Sequence, residues 1–242
     1  MRIPRFKYKF FLSRTVFRVF DGAEVIVSSH KISRSKLVVN SGATLVIGSN
    51  VVIKDAEIYV EKGSLIINDY SIISGENRNN HAKIIINNGN VVIGHHSKIS
   101  CNRIWVRFGG NLSLGNYTNI NWGSEIRCDE RIEIGSYNQI SYRVKVWDTN
   151  THSILGKEER RKIAEKYYPY FGYEEAKPMT APTSIGDDCW IGEGASILKG
   201  TQIGDGSIIG FGTIVSGQLI PPNGRIVQEI KLRNLSEYDK GE

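Results

Sequence analysis

Five histidines, His30, His81, His95, His96 and His152, are the side chains best suited to move a proton near neutral pH. Acyl transfer to a hydroxyl needs such a group, because a neutral alcohol is a poor nucleophile until a base takes its proton. His95 and His96 follow Ile93-Gly94 at a turn and are expected to face solvent. His152 differs. It ends the segment Trp147-Asp148-Thr149-Asn150-Thr151-His152, where a regular pattern of the chain stops. Asp148 lies four residues earlier. It could orient the imidazole and fix its tautomer, or it could be a turn-forming Asx residue. Cys101, Cys128 and Cys189 form an odd set without a CxxC pair. They read as small buried residues rather than as a disulfide framework or a zinc site, and no metal is signalled.

The element that positions His152 is a repeat. From Ile185 an aliphatic residue recurs every six positions: Ile185, Ile191, Ile197, Ile203, Ile209 and Val215. Glycine follows at 186, 192, 204 and 210, and a small residue stands four after the aliphatic at Cys189, Ala195, Thr201, Ser207 and Thr213. Neither a helix nor a hairpin meander has this period. A coil of parallel strands does, with each hexad forming one flat side and its aliphatic pointing inward. The fold class expected is all-β, a parallel β-helix of hexapeptide repeats. Upstream, Ile47-Gly48, Ile67-Asn68, Ile93-Gly94, Leu114-Gly115 and Ile134-Gly135 mark looser coils of three hexads plus insertions, with 74–83 as a polar loop.

This reading divides the chain into five parts. Residues 1–40 show no clean hexads and are expected to form a cap or first irregular coil. Residues 41–152 form β-helix coils, 153–184 an excursion loop, 185–220 hexapeptide coils, and 221–242 a C-terminal extension with a strand or short helix on the last coil. The excursion begins with helix-forming residues 157–166, including a Glu158/Lys162 pair at i, i+4, and continues with Tyr167, Tyr168, Tyr170, Phe171 and Tyr173. Long excursions from a rigid scaffold often carry function.

The net charge is +6, from 31 basic and 25 acidic residues. An excess of cations suits an acidic ligand or contact with an anionic membrane surface. No nucleic-acid motif is present. The N-terminus lacks the apolar stretch of a signal peptide, and no run reaches a membrane span, so a cytoplasmic location is expected.

The hexads from Ile185 to Val215 resemble those of the bacterial hexapeptide-repeat acyltransferases. The Trp147–His152 segment is similar to the Asp-x-x-x-His segment of their capsule and exopolysaccharide O-acetyltransferase branch. The resemblance runs from Leu114 to Arg225 and implies a left-handed helix, a homotrimer, acetyl-CoA as co-substrate and a saccharide acceptor. It implies that His152 is the general base, with Asp148 beside it. It places Asn121, Asp129 and Trp147 against the acceptor. Along the coenzyme it places Trp190, Gly192, Gly210 and Ser216, with Lys199, Arg225 or Lys231 meeting the phosphates. Two departures stand out. The stretch from Ile134 to His152 is one residue longer than in the galactoside branch, and Gly217 replaces a lysine that often follows position 216.

Two other functions fit a chain of this kind. One is N-acylation of an amino-sugar nucleotide, though those enzymes often carry an N-terminal βαβ unit that this chain lacks. The other is a non-catalytic β-helix scaffold, which would not require the Trp147–His152 segment.

Overall fold

The computed structural model describes residues 12–170, 174 and 176–231. Residues 1–11, Phe171, Tyr173 and the end of the C-terminal extension, 232–242, lie outside the described residues. The chain winds into a β-solenoid whose coils each give one strand to each of three sheets, of ten, nine and nine strands. We call these the first, second and third sheet. Each strand pairs in parallel with its counterpart one coil later, as in Trp190↔Ile208, Ser196↔Ile214 and Gln202↔Leu219. All-parallel pairing follows from the winding, since every coil runs in the same sense.

The hexad aliphatics Ile185, Ile191, Ile197, Ile203, Ile209 and Val215 all point inward and are at most 3% exposed. Burying each stabilises the solenoid by roughly 1.5–3 kcal/mol. The small residues at the corners are buried too, and their hydroxyls satisfy the turning backbone: Thr201 Oγ1 donates to the Val215 carbonyl at 3.2 Å, and Ser207 Oγ to that of Gly204 at 2.6 Å. Glycine follows the aliphatic because coils approach closely there. A Cβ on Gly192 would lie 2.8 Å from backbone atoms of Ile209 and Gly210.

The ladders begin earlier than the hexads do. Leu12–Ser13, Val16–Val19, Glu24–Val27, His30–Ser33 and Lys36–Val39 already occupy the three sheets. Their coils are slightly longer than three hexads, as in Leu12↔Ile32 and His30↔Val51, so a strict count of six misses them. The polar loop lengthens one coil further, between Ile72 and its partner Lys98. The C-terminal extension adds one strand, Arg225–Ile226, to the first sheet.

One coil is interrupted far more. Gln139 pairs with Trp190, so this coil encloses the whole excursion, whereas the next step, Trp190↔Ile208, is three bare hexads. The excursion carries the helix Lys157–Tyr167, which buries none of its side chains. Its ion pairs join Glu158 to Lys157 and Arg161 rather than to Lys162. Lys162 instead turns toward a cleft of about 310 Å³ that it shares with Leu155, Glu159, Ile163 and Glu174. Among the described residues no helix is long and apolar enough to cross a membrane.

Candidate active site

The second-sheet strand Lys145–Trp147 ends where the chain leaves the coil. Departing and returning segments run side by side. Thr149 and Thr180 form an antiparallel bridge, Asn150 N–H donates to Met179 at 3.0 Å, and Ala181 N–H to Asp148 at 2.9 Å. Asp148 closes this corner. It is fully buried, and its carboxylate accepts the backbone N–H groups of Asp129, Glu130 and Arg131 at 2.7–2.8 Å. Burial raises its pKa, and the nearby Asp129 charge adds to the rise, while the three N–H donors oppose it. The orienting role expected for Asp148 is therefore corrected. Its oxygens are committed to backbone of the preceding coil, 17–19 residues back, which is not a local Asx turn either.

The partner of His152 is Glu174. Nδ1 of the imidazole lies 2.6 Å from Glu174 Oε1, and the other carboxylate oxygen accepts the Ser153 N–H at 3.1 Å. The carboxylate is 11% exposed and the imidazole 58%. An ionised carboxylate can only accept, so Nδ1 carries the hydrogen and Nε2 is the nitrogen free to take a proton. No sequence pattern marks this pair, because Glu174 lies far along the excursion, in a segment without period.

Next to the excursion stands Trp147, half-buried, with the Arg127 guanidinium 4.7 Å over its ring. Its indole N–H is out of solvent and has no acceptor among the described residues. A ligand oxygen would satisfy it. Asp129 is not open in this way. It is fully buried, holds Arg107 in two hydrogen bonds of 2.9 and 2.7 Å, and accepts the Thr149 hydroxyl at 2.7 Å. Arg107 also reaches the Thr151 carbonyl at 3.3 Å. Asp129 thus braces the backbone just before His152 rather than presenting a carboxylate outward. This too departs from the expectation of an acceptor contact.

The residues expected to meet the coenzyme divide between two places. Trp147, Leu198 and Ser216 are register neighbours on the outer face of the second sheet, and Lys199 follows Leu198 into the excursion's corner. Trp190 projects from the first sheet, 56% exposed, and Gly192 and Gly210 sit where that sheet turns into the second. Asn121 occupies the same turn some coils earlier, following the strand Asn119–Ile120. Within one chain, then, the width of the second sheet separates the Trp190, Gly192, Gly210 and Asn121 group from His152.

All three cysteines are free and buried. Burial pushes the Cys101 thiol up to about 12 and raises Cys128 and Cys189 as well, so none is poised as a nucleophile. Among the described residues, no three His, Cys, Asp or Glu side chains gather as a metal site.

Residues 182–217 match the family model described as bacterial transferase hexapeptide (six repeats). No curated protein matches the sequence. Among solved structures, the polysialic acid O-acetyltransferase OatWY aligns at a TM-score of 0.51 and 18% identity, covering 93% of this chain and 96% of that one. The polySia-specific acetyltransferase NeuO aligns at 0.49 and 15%, covering 93% of each. The chain is a parallel β-helix that carries the bacterial transferase hexapeptide repeat and resembles the hexapeptide-repeat acyltransferases.

Proposed function

We propose that the protein is an acetyl-CoA-dependent O-acetyltransferase acting on a hydroxyl of a surface polysaccharide or its precursor, in the cytoplasm. The observation that carries this reading is the His152–Glu174 pair at the mouth of the excursion, beside the matched hexapeptides. The name of OatWY, which shares the fold, agrees with a saccharide acceptor. His152 Nε2 takes the proton of the acceptor hydroxyl as its oxygen attacks the thioester carbonyl. The tetrahedral oxyanion collapses, the acetyl ester forms, and the coenzyme thiolate leaves with the proton from the imidazolium. Glu174 holds the tautomer and favours the transient imidazolium. With every cysteine thiol buried and its pKa raised, direct transfer is favoured over an acyl-cysteine route.

On this reading Trp147 contacts the acceptor, and Asn121 and Asp129 contribute across and behind the site. Trp190, Gly192, Gly210, Ser216 and Lys199 line the donor cleft. Trp190, Gly192 and Gly210 are separated from His152 within one chain, while Ser216 and Lys199 stand on its side of the second sheet, and this division favours a site shared between copies of a homotrimer. The test is acetyl transfer from acetyl-CoA to a panel of capsular and O-antigen fragments, by the native chain and by His152→Ala. General-base catalysis contributes about 10²–10⁴-fold, so the variant should lose at least about 10² in kcat and still bind acetyl-CoA. Near-normal turnover by His152→Ala would overturn the assignment.

A further inference from the structure

The outer faces of the second and third sheets differ in charge. On the second sheet, register-matched outward positions run Lys36, Glu57, Lys83, Arg103, Glu125 and Lys145. The matching row of the third sheet runs Glu24, Thr44, Ser64, Asn90, Asn111 and Arg131. Both glutamates of the second-sheet row are already engaged, Glu57 with Lys83 at 3.8 Å and Glu125 with Arg103 and Arg127. The face is left with surplus positive charge. A parallel row carries Tyr59, Trp105, Arg127 and Trp147, with Lys36 over Tyr59 at 5.1 Å and Arg127 between the two indoles. Rings and guanidinium groups side by side suit a chain of sugars that bears anionic groups.

This face begins at a second cavity, of about 330 Å³, under the 74–83 loop. Arg14, Lys36 and Arg78 line it, and none of the three has a carboxylate partner among the described residues. Asp55, which holds Arg34, and Glu57 also line the cavity, so its cations Arg14, Arg34, Lys36 and Arg78 outnumber its carboxylates. From the Lys36 strand to the Trp147 strand the ladder takes five steps, roughly 24 Å at about 4.8 Å each.

We propose that this cavity is a remote anion subsite, and that the acceptor is a polyanionic glycan several sugars long. It lies along the second sheet with one carboxylate or phosphate held by Arg14, Lys36 and Arg78 and a hydroxyl delivered to His152. The proposal rests on the O-acetyltransferase reading for what happens at His152, but binding along the face is separable from transfer.

The test measures binding by the full chain of a galacturonic acid octamer, its dimer, neutral maltooctaose and a glycerol phosphate oligomer. The native chain should prefer the long charged oligomers, and the better of the two identifies the anion as carboxylate or phosphate. Arg14→Ser/Lys36→Ser/Arg78→Ser should weaken their binding at least about tenfold and leave that of the dimer unchanged. Arg78→Glu, a single change on an exposed loop, should act in the same direction without threatening the fold. Unchanged affinity in both variants would overturn the subsite. So would a native chain that binds no oligomer but binds anionic phospholipid vesicles through these cations. His152→Ala should keep octamer binding while losing transfer. If it kept both, the transfer reading would fall and the subsite would stand.

Discussion

Glu174 and Asp148 are two acids close to the His152 segment, and their partners give them different work. Glu174 touches the imidazole itself, whereas Asp148 is saturated by three backbone N–H groups one coil back. Glu174→Gln should lower kcat by about tenfold or more, because the amide neither fixes the tautomer nor balances the imidazolium, with the melting temperature nearly unchanged. Asp148→Asn should show the converse. An amide nitrogen facing N–H donors leaves at least one of them unpaired in the interior, which costs about 1–3 kcal/mol. Urea denaturation set beside steady-state kinetics separates the two. A stable Asp148→Asn with lost turnover would return Asp148 to the catalytic pair. Asp129 belongs with Asp148, since a buried carboxylate holding Arg107 and Thr149 acts through the backbone it braces.

At the scale of strands and coils, inward and outward residues divide the energetics. Ile209 is fully buried and its neighbour Ile208 only partly, so Ile209→Ala should cost about 2–5 kcal/mol and Ile208→Ala far less, by the same urea titration. Equal losses would mean that the hexad frame does not set the core. That frame was legible in the sequence because coils of three bare hexads keep their aliphatics in strict step. The longer coils upstream blur the period, although the same ladders run through them. Glu174 was not legible at all. Its place beside His152 depends on how an irregular excursion folds back, and no periodicity encodes that. Successive coils are also pinned at their corners by charge. Arg34 donates twice to Asp55 at 2.7 Å, and this holds the Asp55 carboxyl below its ordinary range. A depressed carboxyl adds stability that is complete above the unfolded value of 3.8 and disappears as pH falls through the folded one. Asn tolerates the left-handed backbone at this position, φ 50°, so Asp55→Asn isolates the charge. The variant should melt a few degrees below the native chain near pH 7, and the gap should begin to close only below pH 3.8, vanishing as pH falls through the lower folded value. A gap that persists in acid would mean that shape rather than charge ties these coils.

For the whole molecule, the arrangement of proposed donor and acceptor groups sets a requirement on assembly. Trp190, Gly192 and Gly210 stand on and beside the first sheet, while His152 and Glu174 stand past the far edge of the second. Two copies in a ring can bring one group of each chain together, so that the donor need not cross the second sheet to meet the base. A closed cyclic trimer would then hold three sites, each taking its base from one chain and its cleft from the next. Two inactive variants test this. His152→Ala lacks the base. Trp190→Asp places a carboxylate on an exposed position where the anionic coenzyme is proposed to lie, so it should fold and fail to bind donor. Each alone should be inactive. When the two are unfolded together and refolded as mixed rings, a site is whole wherever a Trp190→Asp chain supplies the histidine and a His152→Ala chain the cleft. Random mixing makes that roughly a quarter of the interfaces, so about a quarter of native turnover should return. Sedimentation of the refolded mixture checks that rings have formed. Rings without recovered turnover would place the complete site inside each chain, with the excursion closing over the second sheet to reach the coenzyme.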